Sequence, residues 1–301
     1  MNKMDEINEG NDIVTIWPDF APEFLCKADQ CRHSCCRGWE IDIDAATAAW
    51  YLTLDGEIGE DLRKNIVQAE DGTYSFRLTA DESCPFLQKN GLCRLILELG
   101  EDALGEICTM HPRFFVMCGM TELAGFGLAC EKAVELLFRN QAPLTFFAEG
   151  SPELRLDFPS LLAKLGLSAA VPAFRPELRA EEIHAVLQLM QQTEPIDEIW
   201  TAHIASLLTR EDTVLQRAQD YAKEFSQANF DRLQTYILYR QLGRTAQFDF
   251  SQLLSYTQVN VRYIFLETAV TGDFYESVRR WSEQIEYSEE NTDFLLRSAK
   301  F

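Results

Sequence analysis

The spacing of apolar residues predicts a helical second half of the chain. From residue 177 onward they recur at intervals of three and four, as they do on one face of an α-helix. One such stripe is Ile183, Val186, Leu187 and Met190. Leu233, Tyr236 and Ile237 form a second, and Arg240 lies on the same face across the next turn. A stripe of this kind is more typical of a core than of a cofactor pocket. We therefore expect a helical bundle. Two histidines of this half, His184 and His203, have no carboxylate or cysteine at the sequence spacing of a shared ligand site.

Alternating polar and apolar residues predict two short strands in the first half. Residues 39–44 and residues 73–78 both alternate in this way, and the two strands could pair beside the cysteine-rich site described below. Asp44 is suited to cap a helix over residues 45–54.

Prolines divide the chain further. Two of them, in residues 17–22, predict an extended entry segment, and five between residues 142 and 176 predict a connector with at most short helices. We place a domain boundary near Gly150. The expected architecture is mainly α: a cysteine-rich metal-cluster domain with a few short strands at residues 1–148, followed by a helical bundle domain at residues 149–301.

Composition and charge exclude several classes of protein. The chain is 47% hydrophobic and 11% aromatic, enough for a sizeable core, and its net charge of −21 would repel a polyanion. Nucleic acid is therefore not expected as a partner, although the charge could also serve solubility alone. Residues 1–6 are acidic where a signal peptide would be basic, and no apolar run is long enough to span a bilayer. We expect a cytoplasmic protein with no membrane partner.

All nine cysteines lie between Cys26 and Cys130. In a reducing compartment such a group favours metal ligation over disulfides, with buried free thiols as the plain alternative. One member, Cys118, lies in the apolar run of residues 114–118 and is expected in the core. The eight candidate ligands are Cys26, Cys31, Cys35, Cys36, Cys84, Cys93, Cys108 and Cys130.

The kind of metal stays open at this point. Four cysteines can bind zinc or an iron-sulfur cluster, and the adjacent pair Cys35 and Cys36 is easier to place around a larger cluster than around one ion. The same pair could instead form a thiol redox sensor. His111 could add a nitrogen ligand, and Arg113 could neutralise thiolates or simply pack. Trp39 and Trp50 are expected to be core aromatics.

The cysteine spacing resembles that of the flagellin lysine-N-methylase family, within the bacterial cysteine-cluster proteins. The residues concerned are Cys26-x4-Cys31-x3-Cys35-Cys36-x-Gly38-Trp39, Cys84-Pro85-Phe86-Leu87, Gly91-Leu92-Cys93, Cys108-x3-Pro112-Arg113 and Cys130. Residues 282–291 are similar to a segment near the C-terminus of those methylases, with Tyr287 and Glu283 where the family pattern has histidine and arginine. Glu131 replaces a proline after Cys130.

This resemblance implies transfer of methyl groups from S-adenosylmethionine to lysine side chains of flagellin or another protein. It also implies an iron-sulfur cluster of the 4Fe–4S type, with zinc as the alternative metal. The amine must lose its proton before it attacks the methyl carbon, yet no spacing selects a base among Asp42, Asp44, Glu131 and Glu286. The catalytic and donor-binding residues are therefore unknown. Without a Gly-x-Gly-x-x-Gly motif, the donor would need a pocket unlike the doubly wound one.

The absence of a recognisable donor pocket keeps a non-enzymatic alternative open. The chain could be an iron-sulfur or zinc protein acting in electron transfer, metal handling or protein interaction. Binding of S-adenosylmethionine separates this alternative from the methylase.

Overall fold

The structure is a computed structural model that describes residues 13–167 and 170–300. The acidic residues 1–6, on which the absence of a signal peptide was argued, lie outside the described residues. The chain forms two compact units. The larger unit contains residues up to 24 and those from 113 onward, and the smaller unit is Leu25–Pro112.

The chain is mainly helical with a few short strands, as expected from the sequence. The strands are β1 (Val14–Pro18), β2 (Asp42–Ile43), β3 (Ile66–Gln68), β4 (Tyr74–Phe76), β5 (Arg113–Cys118), β6 (Thr121–Phe126), β7 (Thr145–Ala148) and β8 (Leu156–Asp157). The α-helices are α1 (Ala45–Thr53), α2 (Gly56–Asn65), α3 (Arg94–Leu99), α4 (Glu106–Met110), α5 (Glu131–Leu137), α6 (Phe158–Lys164), α7 (Ala180–Gln191), α8 (Glu198–Leu208), α9 (Glu211–Tyr221), α10 (Gln227–Gln241), α11 (Phe250–Thr271), α12 (Phe274–Trp281) and α13 (Glu289–Ser298).

The larger unit is built on a five-stranded sheet with the order β5-β6-β1-β7-β8. Strand β1 runs parallel to β6 and antiparallel to β7, while β5 and β6 form an antiparallel hairpin. The entry segment is extended as predicted, but residues 17 and 18 belong to a regular strand, which the two prolines were expected to discourage. Pro18 is tolerated because it is the last residue of its strand, where a missing amide costs little pairing.

Helices α10 and α11 supply much of the core of the larger unit. Leu233, Tyr236 and Ile237 on α10 are buried as predicted, and Arg240, the fourth member of the predicted stripe, is partly buried. Each of the three buried side chains stabilises the fold by roughly 1.5–3 kcal/mol on burial. Asp249 caps the start of helix α11, because its carboxylate accepts the Gln252 amide at 2.9 Å. The helix ends before Gly272, which adopts a left-handed φ of 79°.

The proline-rich region of residues 142–176 is more regular than predicted. It contains α6, which is short as expected, but also β7 and β8. Because β7 pairs directly with β1 inside the sheet, the region belongs to the larger unit and is not a connector. Gly150 also lies inside this unit, so the boundary predicted there coincides with neither end of the smaller unit.

The smaller unit contains a three-stranded sheet with the order β2-β4-β3. The two strands predicted from alternation are β2 and β4, and they pair antiparallel with Asp42 opposite Ser75. Asp44 caps α1 by accepting the Thr47 amide at 2.8 Å, as predicted. Trp50 on the same helix is 43% exposed, so its expected place in the core was wrong.

Within the described residues, no helix combines the length and the apolar character that crossing a bilayer requires.

Candidate functional site

Four cysteine side chains of the smaller unit meet at one hydrophobic core. Cys84 is buried in it, and Cys36, Cys93 and Cys108 pack against it half-buried. The apolar residues of this core are Ile41, Ile43, Ala48, Tyr51, Leu62, Phe76, Phe86 and Leu95. The four residues come from distant points of the chain, so the fold of the unit is what collects them.

Short backbone ribbons bring the first three cysteines together. The Cys84 amide donates to the Cys36 carbonyl at 2.8 Å, beside an antiparallel bridge between Arg37 and Ser83. A second bridge joins Leu87 to Cys93 across a tight turn. Cys93 then immediately precedes α3, while Cys108 lies within α4.

Glycine makes the second ribbon possible. The turn between Leu87 and Cys93 is closed by the Gly91 amide, which donates to the Gln88 carbonyl at 2.9 Å. Gly91 has a φ of 83°, a conformation that side chains with a Cβ adopt only under strain. The Gly91-Leu92-Cys93 motif is thus a turn that returns Cys93 to the core.

The charge of one of these thiols affects the pKa of the others. Burial raises the pKa of Cys84 to about 12 and that of Cys108 to about 11, and it also raises the pKa of Cys93. Negative charge on Cys36 adds to the rise in all three. By contrast, a hydrogen bond from Cys35 lowers the pKa of Cys36 to about 7 against the effect of burial.

Four neighbouring thiols are donors of the kind that a soft cation prefers. Sulfur ligands select zinc, copper(I) and iron-sulfur clusters, and a bound cation would offset the cost of charging buried thiols. Sulfur is thus the type of donor that the metal chemistry expected from the sequence needs. Across residues 13–167 and 170–300, however, no group of three or more histidine, cysteine, aspartate or glutamate side chains is arranged to hold a metal ion.

Three more of the eight candidate ligands lie in the smaller unit but outside this core. Cys26 and Cys35 are exposed and Cys31 is partly buried. They belong to the segment of residues 25–38, which contains one short 3-10 helix, Ala28–Gln30. In this segment the Cys26 sulfur accepts a hydrogen bond from the Ala28 amide at 3.4 Å. Their role as ligands stays a prediction.

The remaining two cysteines lie in the larger unit. Cys130 is half-buried and directly precedes α5. Cys118 ends β5, is buried, and lies 3.8 Å from the Thr245 hydroxyl. The expectation that Cys118 is a core residue is confirmed.

His111 and Arg113 lie on either side of Pro112 in the motif that begins at Cys108, and Arg113 is the first residue of the second part of the larger unit. Burial lowers the pKa of His111 to about 4, so the imidazole is neutral and has a nitrogen lone pair at pH 7. The peptide bond between His111 and Pro112 is cis. The Arg113 guanidinium lies over the rings of Phe24 at 5.3 Å and Phe126 at 5.7 Å, which favours the packing role among those considered for it.

Sequence reasoning missed Tyr51 as a neighbour of the thiols. Its hydroxyl is buried and donates to the Ala103 carbonyl at 2.5 Å. Tyr51 belongs to the core against which Cys93 and Cys108 pack. Burial raises the pKa of Tyr51, and the charges of Cys108 and Cys93 raise it further. Tyr51 shares a helix face with Ala48, so an apolar stripe on α1 was the available signal.

The carboxylates considered as bases differ sharply in their surroundings. Asp44 is occupied by the Thr47 amide and, at 3.1 Å, by the Glu106 amide, and these bonds lower its pKa. Asp42 is exposed on β2. Glu131 and Glu286 are both buried in the larger unit. None of these contacts marks one carboxylate as the base.

Both helical histidines have carboxylate partners that their sequence neighbours did not reveal. His184 Nδ1 lies 2.8 Å from Glu211, and His203 Nε2 lies 2.7 Å from Glu267. The bond to Glu267 raises the pKa of His203. Each pair joins two different helices, so it could not be read from spacing within one helix.

Known proteins match part of the chain. It is 34% identical over 110 residues to the lysine-N-methylase of Salmonella typhimurium, and 32% identical over 107 residues to the flagellar biosynthetic protein FliU of Salmonella muenchen. The resemblance to flagellin lysine-N-methylases is confirmed. The lysine-N-methylase of Salmonella choleraesuis matches to the same extent, at 34% over 110 residues.

The similarity to the methylases is partial in length. Each match covers 34% of this chain, and it covers 63% of FliU and 27% of each lysine-N-methylase. No family model matches the chain, and no solved structure matches it significantly.

Proposed function

We propose that this chain is a protein lysine N-methyltransferase that uses S-adenosylmethionine and acts on flagellin or another lysine-bearing protein. The observation that carries the proposal is the 34% identity to a lysine-N-methylase. The spacing of the cysteine motifs, on which the resemblance to the family rests, also supports the proposal.

The reaction is a displacement at the methyl carbon. The lone pair of a neutral lysine amine forms the new carbon–nitrogen bond while the carbon–sulfur bond breaks, and S-adenosylhomocysteine leaves with the electron pair. The proton of the amine passes to a base or to water. Desolvation of the amine would favour its neutral form, because burial lowers the pKa of an ammonium group.

The proposed cofactor is an iron-sulfur cluster, with zinc as the alternative. Cys36, Cys84, Cys93 and Cys108 are the residues that would hold it, since their thiols share one core. Such a cluster would cross-link segments of the smaller unit and stabilise their fold. In this role it is structural or regulatory, and methyl transfer itself proceeds by the polar route above.

Binding of S-adenosylmethionine tests the proposal against a non-enzymatic metal protein. Calorimetry on full-length protein purified without oxygen, at known iron and zinc content, should show saturable binding of the donor. S-adenosylhomocysteine should compete, because it retains the adenosyl and amino acid groups. Adenosine triphosphate serves as the matched control for the nucleoside. A metal-replete protein that binds neither sulfur compound would favour the metal-binding alternative, for which the four-thiol core is the supporting observation.

A further inference from the structure

Residues 172–175 lie against α10, and two side chains of that helix hold their backbone. The Gln234 amide donates to the Pro172 carbonyl at 2.5 Å, and the Asp231 carboxylate accepts the Phe174 amide at 3.1 Å. Positions 231 and 234 share one face of α10, because three residues make nearly one helical turn. Hydrogen bonds to a single helix face therefore fix this segment.

The ring of Phe174 anchors the same segment in the core of the larger unit. It stacks on Phe230 of α10 with the ring centres 4.9 Å apart, and its centre lies 5.4 Å from that of Phe265 on α11. Only 6% of Phe174 is exposed. Aromatic pairs at these distances stabilise a packed arrangement. The segment thus forms a firm wall beside both helices.

A cavity of about 130 Å³ lies between this wall and helices α10 and α11. Its volume is comparable with that of a cavity of roughly 150 Å³ that holds a benzene molecule, and it is below the roughly 300 Å³ at which pockets for drug-sized ligands begin. The cavity therefore suits a molecule of a few carbon atoms and not one that carries an adenosyl group. The lining residues that bear on its chemistry are Pro172, Phe174, Arg175, Gln234, Gln258 and Arg262.

The lining of this cavity is positively charged, although the chain has a net charge of −21. Among the described residues, two guanidinium groups line it, those of Arg175 and Arg262, and no aspartate or glutamate does. Glu182 of α7 lies 3.8 Å from Arg262, but it also accepts the Arg179 amide at 2.9 Å and the Arg179 side chain at 3.1 Å. Because Glu182 is shared between two arginines, the cavity keeps an excess of positive charge.

The two arginines of the cavity differ in their exposure. Only 21% of the Arg262 side chain is exposed, and burial lowers its pKa while the charge of Glu182 raises it. An anion interacts more strongly with such a group than with one in bulk water, because the local dielectric constant is lower. Arg175 is exposed, so the cavity can be reached from solvent on that side.

We propose that this cavity binds a small organic dicarboxylate, with Arg262 holding one carboxylate and Arg175 the other. The planar fork of a guanidinium matches a carboxylate through two parallel hydrogen bonds. The Gln258 amide adds an N–H group from α11. Phe174 and Pro172 offer apolar contact to the carbon chain, which an inorganic anion would leave unused. Such a site is independent of methyl transfer, since S-adenosylmethionine is larger than the cavity.

Equilibrium dialysis of the full-length protein against radiolabelled succinate measures this binding. We expect saturable binding of one succinate per chain. Succinamide has the same carbon chain without charge and should not compete, because it cannot pair with the guanidinium groups. Inorganic phosphate should compete at least about tenfold more weakly than succinate, because it makes no use of the apolar wall.

Substitution of the arginines tests where the succinate binds. Arg175→Gln and Arg262→Gln each remove one charge and keep an amide, and each should weaken binding about tenfold, the scale of one charge-assisted hydrogen bond. Arg297→Gln is the matched control, because Arg297 lies on α13, pairs with Asp293 at 3.2 Å and does not line the cavity. Since Arg175 is exposed, its variant decides the matter should Arg262→Gln fail to fold.

Three results would overturn the proposal. The first is a folded wild-type protein without saturable succinate binding, and the second is binding that a folded variant of neither arginine weakens. The third is phosphate that displaces succinate at equal concentration, which would exclude a preference for carboxylates. The dialysis contains no S-adenosylmethionine, so its result does not depend on whether the chain is a methylase.

Discussion

Cys84 is the most enclosed of the four thiols that share the core of the smaller unit. Only 7% of it is exposed, and burial raises its pKa to about 12. A thiol in this state contributes to a protein mainly as a small apolar side chain unless a cation pairs with it. Substitution of Cys84 therefore tests the metal proposal directly.

We expect Cys84→Ser to lose nearly all bound iron and acid-labile sulfide, because the hydroxyl is a poor replacement for a thiolate in a soft-metal site. Elemental analysis with a visible absorption spectrum measures this. Cys118→Ser is the matched control, since Cys118 is equally buried but lies in the core of the larger unit. Retention of the full metal content by a folded Cys84→Ser protein would contradict the assignment.

His203 gives the larger unit a dependence on pH. The hydrogen bond to Glu267 raises the pKa of His203 above its ordinary value near 6.5. The protonated form is thus favoured in the folded protein. Its stabilisation is fully present below the unfolded pKa and is lost as pH rises through the folded pKa.

His203→Gln should accordingly cost about 0.5–1 kcal/mol of unfolding free energy at pH 6, on the scale of a partly exposed ion pair, and less at pH 8.5. Urea denaturation of both proteins at the two pH values measures the difference. An equal cost at both values would show that the charge of His203 does not contribute.

At the scale of elements, helix α1 depends on its cap. Asp44 accepts the Thr47 amide at 2.8 Å and also the Glu106 amide, which starts α4. Asp44→Ala should therefore destabilise the smaller unit by about 1–2 kcal/mol. The urea midpoint, followed by the fluorescence of this tryptophan-containing chain, reports the loss. Asp42→Ala, at an exposed position two residues earlier, should have little effect, and equal losses in the two variants would refute the capping role.

The sequence predicted those elements in which the order of polar and apolar residues matches the burial of their side chains. Residues of β2 and β4 alternate, Asp44 precedes its helix, and the apolar stripe of α10 is buried as expected. Strand β5 was missed as a strand because Phe115 and Met117 are apolar yet exposed, which hides the alternation. The sequence also offered eight candidate ligands without choosing among them. Four of them come together only because the Cys84 amide pairs with the Cys36 carbonyl. These two residues are 48 positions apart in the chain, so no local pattern encodes their contact.

At the scale of the whole molecule, the division of the chain decides which fragments can fold. Helix α10 supplies hydrogen-bond donors to the sheet of the larger unit. The Tyr239 hydroxyl lies 2.7 Å from the Ile16 carbonyl and 2.9 Å from the Ala124 carbonyl, and these two acceptors share its single proton. Arg232 on the same helix donates to the Leu137 carbonyl at 2.7 Å and pairs with Asp19. Tyr239 and Arg232 both lie beyond residue 148, so a fragment that ends there lacks both side chains.

A fragment of residues 1–148 should therefore expose the apolar face of this sheet and aggregate. Size-exclusion chromatography with circular dichroism measures this, and the full chain provides the comparison. A monomeric fragment with a cooperative unfolding transition would instead support the boundary predicted near Gly150.

The central claim is that the chain methylates lysine side chains with S-adenosylmethionine. The most direct test incubates anaerobically purified full-length protein with flagellin and the donor, and then maps modified lysines by mass spectrometry while S-adenosylhomocysteine is quantified. The account predicts methylated lysines and an equal amount of S-adenosylhomocysteine, both absent when the donor is left out. Metal-replete, donor-bound protein that leaves every lysine of flagellin and of other candidate proteins unmodified would contradict it.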